Sequence, residues 1–96
     1  MILTTTDNIE THQILRYLGI VTGKAFVYAK RFKEMGASKQ PELITRAEQQ
    51  ATKDAVAQAD ELGANAIVGV SVDFEAVSGP YFYFTFTGTA VKCQRK

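Results

Sequence analysis

A stripe of small residues fixes the centre of this chain. Leu43, Ala47, Ala51, Ala55, Ala59 and Leu62 recur at spacings of four and three, which on an α-helix puts them along one side. Ile44 and Val56 widen the stripe. Pro41 suits a first helical turn, where its missing N–H costs nothing, and Gly63 fits a left-handed stop just past Leu62. The pattern predicts a helix over residues 41–62. Because the stripe is mostly alanine, this helix can lie very close to whatever it packs on.

Past Gly63 the period changes. Ala66, Val68, Val70, Val72 and Phe74 alternate with Ile67, Gly69, Ser71, Asp73 and Glu75, the two-residue repeat of a strand with one apolar face. Ser78-Gly79-Pro80 reads as a turn. Phe82, Phe84 and Phe86 then alternate with Tyr81, Tyr83 and Thr85, and Thr89-Ala90-Val91 continue the strand past Gly88, where a bulge is expected. The last two strands therefore form a hairpin.

Ahead of the helix the signals are shorter. Residues 2–6 suit a short strand, and Asp7-Asn8 a turn. Residues 9–16 read equally as a short helix or a loop anchored by Ile9, Ile14 and Leu15. Tyr17 to Ala29 is rich in β-formers, and Gly19 and Gly23 there mark bends or bulges in a long strand. Residues 30–40 could begin a helix interrupted near Gly36. The order is β-β-α-β-β, an α+β fold of two layers: a β-α-β-β unit with one long helix on one face of a small sheet, plus a short N-terminal strand.

Composition narrows the function classes. Ninety-six residues make a single domain, 1–96. A hydrophobic fraction of 46% argues for a folded chain. Eleven basic against ten acidic residues leave a net charge of +1, too little for a whole-molecule field that draws in nucleic acid or an acidic membrane. The start of the chain has no signal-peptide pattern and no segment reaches membrane-spanning length, so with one cysteine the expected location is the cytoplasm.

The residues offer little chemistry. One His12 and one Cys93, 81 positions apart, do not make the ligand cluster a soft metal needs. Asp73 and Glu75 share a strand face. An oligomer could gather copies of Cys93 or Asp73 about a symmetry axis. No nucleophile elbow is present, and Gly19-x-x-x-Gly23-Lys24 lacks P-loop spacing. The Tyr81-Phe82-Tyr83-Phe84 run has no interleaved basic residue to suggest base stacking. No catalytic residue, no metal ligand within one chain and no cofactor is assigned.

Several blocks resemble a known family. Ile2 to Glu10, Tyr17 to Gly23, Glu61 to Val70 and Thr87 to Val91 occur in the same order as in the YbjQ-like family. These are small bacterial and archaeal proteins of unassigned function, often labelled "putative heavy-metal-binding domain". The resemblance implies a subunit similar to that of dodecin, assembled as a ring-like homopentamer. Gly36 to Pro41 stands where the family carries a longer stretch with a Gly-Gly-Arg-Ser-type motif, so no ligand role is carried over for that segment.

Three functions compete: a non-enzymatic oligomeric scaffold or binding module, a heavy-metal binder as the family label implies, and an enzyme whose site is shared between subunits through Asp73, Glu75 or Tyr81. The first is favoured, because one helix covers one face of the sheet. Val68, Val70, Val72, Phe74, Phe82, Phe84 and Phe86 are assigned to that covered face. Ile67, Tyr81 and Tyr83, with Leu18, Ile20, Phe26 and Tyr28 in one register, are assigned to the other. A monomer rarely exposes so large an apolar surface. The expected partner is the chain itself, not nucleic acid or membrane; any metal or small-molecule ligand is left unnamed.

Overall fold

The computed structural model describes residues 1–28, 39–78 and 81–96. Strands β1 (Ile2–Leu3) and β2 (His12–Tyr28), helix α1 (Lys39–Glu61), and strands β3 (Ala66–Ser78) and β4 (Tyr81–Arg95) succeed one another along the chain. They form one helix packed on a four-stranded sheet in the order β1-β3-β4-β2. The sheet is mixed: β1 runs parallel to β3, and β4 runs antiparallel to both neighbours. The expected helix, the hairpin of the last two strands and the α+β class are all present. The expected helix start near residue 30 and the tip of the hairpin turn, residues 79–80, lie outside the described residues.

The alanine stripe determines how the layers meet. Ala47, Ala51, Ala55 and Ala59 are buried against Val21, Ala25, Val27, Ile67, Phe84 and Phe86, with Leu43 and Val56 at the margins of this core. Four methyl groups in a row let the helix backbone itself reach the sheet. The contact is tightest at Gly23: a Cβ there would overlap the Ala51 carbonyl and lie 2.9 Å from the Ala55 amide nitrogen. Gly23 is in regular register with Phe86, so it marks a close approach rather than the bend expected from sequence. The bulges of β2 fall instead at Ile14/Arg16 and Tyr17/Gly19.

The helix ends as predicted. The Ala64 N–H donates to the Ala59 carbonyl at 3.0 Å and that of Gly63 to Asp60 at 3.0 Å. Gly63 takes φ +81°, the left-handed stop that satisfies otherwise orphaned carbonyls. Leu62 lies beyond the helix and is 45% exposed, so the stripe closes at Ala59.

A bulge in β3 reverses part of the expected facing. Val68 pairs with Thr89 but Ser71 pairs with Thr87, so β3 spends one more residue than β4. Gly69 makes this possible with φ +61°, a conformation that costs other residues about 1–2 kcal/mol. The extra residue flips the alternation. Ile67 therefore belongs under the helix, fully buried, with Val70 and Phe74, while Val68 lies on the opposite face. Both positions correct the facing expected from a single period through residues 66–75. The expected bulge at Gly88 is thus in the facing strand, and Gly88 remains in register with Val21. Leu18 is the extra residue of a β2 bulge and packs on the helix side rather than the open one.

The opposite face has a small core of its own at one end. Ala66, Val68, Val91 and Cys93 are buried there, with Ile2, Ile9 and Ile14 packed on them. The N-terminal segment is held across this end by backbone hydrogen bonds from Ile2 to Asn65 and Thr4 to Ile67, and by the return bonds Gly69 to Thr6 and Val70 to Thr4. Asn65 adds a side-chain clamp, accepting from the Cys93 N–H and donating to the Cys93 carbonyl, both at 2.8 Å. Residues 12–16, ambiguous in sequence, are the start of β2, and Leu15 stands out at 48% exposure.

Candidate functional site

Away from that end, the face opposite the helix is uncovered. Cross-strand register arranges its side chains in rungs of three. Thr22, Thr87 and Ser71 form one rung; Lys24, Thr85 and Asp73 the next; Phe26, Tyr83 and Glu75 the third. Tyr28 and Tyr81 begin a fourth. The outer strands thus contribute all the charges of these rungs, and every central-strand position carries a hydroxyl.

The aromatic groups pair across strands. Phe26 and Tyr83 have ring centroids 4.2 Å apart at 51°, and Tyr28 and Tyr81 5.2 Å apart at 60°. Tilted pairs of this kind contribute about 0.5–1.5 kcal/mol beyond area burial. Yet Phe26 is 66% exposed, and Tyr17, Ile20, Tyr28 and Tyr81 are exposed as well. The expected open-face residues Ile20, Phe26, Tyr28, Tyr81 and Tyr83 are there.

Beside the aromatics lies a shallow hollow of about 390 Å³ lined by Lys24, Asp73, Glu75, Tyr83 and Thr85. Asp73 and Glu75 are brought together as expected, but Tyr83 accompanies them; Tyr81, the tyrosine singled out from sequence, is not in the lining. Lys24, Asp73 and Glu75 are all solvent-exposed. The hollow offers one cation, two carboxylates and the hydroxyls of Tyr83 and Thr85 for polar contacts.

His12 and Cys93 prove to be neighbours. Cys93 pairs with Ile14, and His12 lies two residues before Ile14 on β2, on the same face. Sequence separation concealed this, because the antiparallel pairing of β2 with β4 joins the two ends of the chain. The donors still do not fit a heavy metal. Cys93 is 4% exposed within the apolar cluster of Ala66, Val68 and Val91. His12 meets the Thr11 hydroxyl through Nδ1 at 2.8 Å. Among the described residues no three of His, Cys, Asp and Glu come together.

Sequence reasoning missed two side chains that shape the margin of the sheet. Gln58 accepts from the Thr22 N–H at 3.1 Å and donates to the Thr22 carbonyl at 2.8 Å. Asp54 accepts from the Lys24 N–H at 3.3 Å. Both project from α1 over the margin of β2, replacing a neighbouring strand. Their only sequence signal is a spacing of four beside the alanine stripe.

A small α+β fold with one sheet face covered and one largely bare, and no enclosed polar centre among the described residues, is the class that this geometry defines. The chain belongs to the YbjQ family, described as "putative heavy-metal-binding", whose pattern matches residues 1–94. It is 40% identical over 105 aligned positions to a UPF0145 protein of Corynebacterium jeikeium, covering 98% of this chain and 100% of that one. It also shares its fold with a DUF74-family protein of unknown function from Pediococcus pentosaceus, at a TM-score of 0.67 and 18% identity over 98% of each chain. Among the described residues no helix is long and apolar enough to cross a membrane.

Proposed function

We propose that this protein is a non-enzymatic homo-oligomeric module, a scaffold or binding unit whose bare sheet face is buried between copies. The observation that carries the reading is the aromatic ladder of exposed Phe26, Tyr28 and Tyr81 with half-buried Tyr83, continued by exposed Ile20 and Tyr17. Apolar area returns about 25 cal/mol per Å² when taken from water. A 96-residue chain has a limited core of its own, and the helix reaches β2 and β4 but little of β3. Burial between copies supplies what a second helix layer would. The family resemblance supports a closed ring of five.

The metal reading has less behind it. It rests on the family's description, while the cysteine thiol is enclosed by aliphatic side chains. Native mass spectrometry with and without added Zn²⁺ or Cu⁺ separates the two readings. A Phe26→Ser, Tyr28→Ser double variant tests the first directly. The expected result is a folded monomer close to the 10.6 kDa of the parent chain, with the parent's far-ultraviolet spectrum. Retention of the parent's oligomeric mass would contradict burial of this ladder.

A further inference from the structure

The middle of the open face is dipolar. Two successive rungs cross it there: Lys24, Thr85 and Asp73, then Phe26, Tyr83 and Glu75. The positive side chain belongs to β2 and the two negative ones to β3, with the half-buried Thr85 and Tyr83 of β4 between them. Lys24 and Asp73 are separated by two strand spacings, about 9–10 Å between backbones. Their charged groups do not meet. Neither they nor the Glu75 carboxylate make an ion pair among the described residues. The hollow of about 390 Å³ is lined from both sides of this gap.

The charge pattern selects the ligand. A lone organic cation drawn to Asp73 and Glu75 is repelled by Lys24, and an anion drawn to Lys24 is repelled by the carboxylates. A zwitterion satisfies both sides at once, its ammonium toward β3 and its carboxylate toward β2. Between them the hydroxyls of Thr85 and Tyr83 can donate or accept. The Tyr83 ring also supplies an apolar wall, braced by Phe26 with ring centroids 4.2 Å apart. Small-ligand sites combine such a wall with a few convergent polar groups, and aromatic rings favour offset or tilted contact with a second ring.

The same charges keep the hollow wet when copies associate. Taking an ammonium and two carboxylates out of water without partners is costly, so an interface formed on the aromatic ladder stops at the Phe26–Tyr83 pair and leaves the hollow as a recess at its rim. We propose that this recess binds a free aromatic amino acid, held as a zwitterion between Lys24 and the Asp73–Glu75 pair with its ring on Tyr83. The inference goes beyond the self-association argued above, since every residue of the site comes from one copy.

Chemical-shift titration of the full chain with L-phenylalanine tests it, beside phenethylamine and 3-phenylpropionate, which keep the ring and each lack one charge. Saturable shifts at the Tyr83 and Thr85 amides are expected with phenylalanine, at a dissociation constant no higher than about 5 mM. Each analogue is expected to bind at least about fivefold more weakly, and Lys24→Met and the Asp73→Asn, Glu75→Gln double variant to weaken phenylalanine by at least about as much. A higher constant or no saturation overturns the inference, as does equal affinity for phenylalanine and either analogue, or wild-type affinity in either variant. Light scattering on the same samples reads the self-association separately. A monomer that binds phenylalanine in this way keeps the inference and removes the self-association, whereas an oligomer that does not bind it does the reverse.

Discussion

The two faces of the sheet are built from the same three strands, yet they are stabilised differently. The helix face is made largely of small residues. Alanine methyls, Gly23 and Val21 bring two backbones together, and the larger Phe84 and Phe86 fill the space beside them. The open face is made of large residues, with tilted aromatic pairs and a charged hollow. Small side chains work where the partner is fixed within the chain. On the proposed reading, the large ones left in water meet a second copy of the chain. On this account the chain specifies its fold on one side and its association on the other.

The helix face is the easier to break. Gly23→Val puts methyl groups into the helix backbone, which cannot rotate away as a side chain can. A loss of at least about 3 kcal/mol is expected in chemical denaturation, the upper range for overpacking. A loss below about 1 kcal/mol would mean that the helix sits less closely than described. Lys24→Ala, one residue along and on the open face, is expected to stay within about 0.5 kcal/mol.

The margin where the faces meet comes next. Gln58→Leu leaves the N–H and carbonyl of Thr22 without their side-chain partner, at a cost of about 1–2 kcal/mol. Amide exchange at Thr22 is expected to quicken by more than the global loss explains, which a purely packing role for Gln58 would not produce.

A smaller effect than that of Gln58→Leu sharpens the comparison on the face opposite the helix. Cys93→Ser buries a hydroxyl in the apolar cluster at the covered end, costing about 1 kcal/mol, while elemental analysis of the purified protein shows no change in metal content. Sequence alone gives no reason to expect an effect on the fold; burial of the thiol among Ala66, Val68 and Val91 supplies one. A large fall in bound metal would restore the metal reading.

Much of this architecture is written locally. The alanine stripe repeats with the helix, Gly63 stops it, and Phe82, Phe84 and Phe86 keep strict alternation, so period alone locates α1 and β4. Register is not local. The bulge at Gly69 inverts Ile67 and Val68, although the letters AIVGVSVDFE run through it without a break. Gly23 and Gly69 look alike in sequence, but one admits a helix backbone and the other supplies a positive φ. The open-face aromatics were legible from alternation, and the pairing of Asp73 with Glu75 from their spacing. The proximity of His12 to Cys93 and the reach of Gln58 and Asp54 over β2 arise only once distant segments meet.

The central claim is that the aromatic face of the sheet is buried between copies of this chain. Light scattering coupled to size-exclusion chromatography, run on wild-type protein at micromolar concentration and again after dilution, tests it most directly. The account predicts a discrete mass that is a multiple of 10.6 kDa, with five copies the expected number. A ring of another size would revise only that number, whereas a stable 10.6 kDa species throughout would contradict the claim.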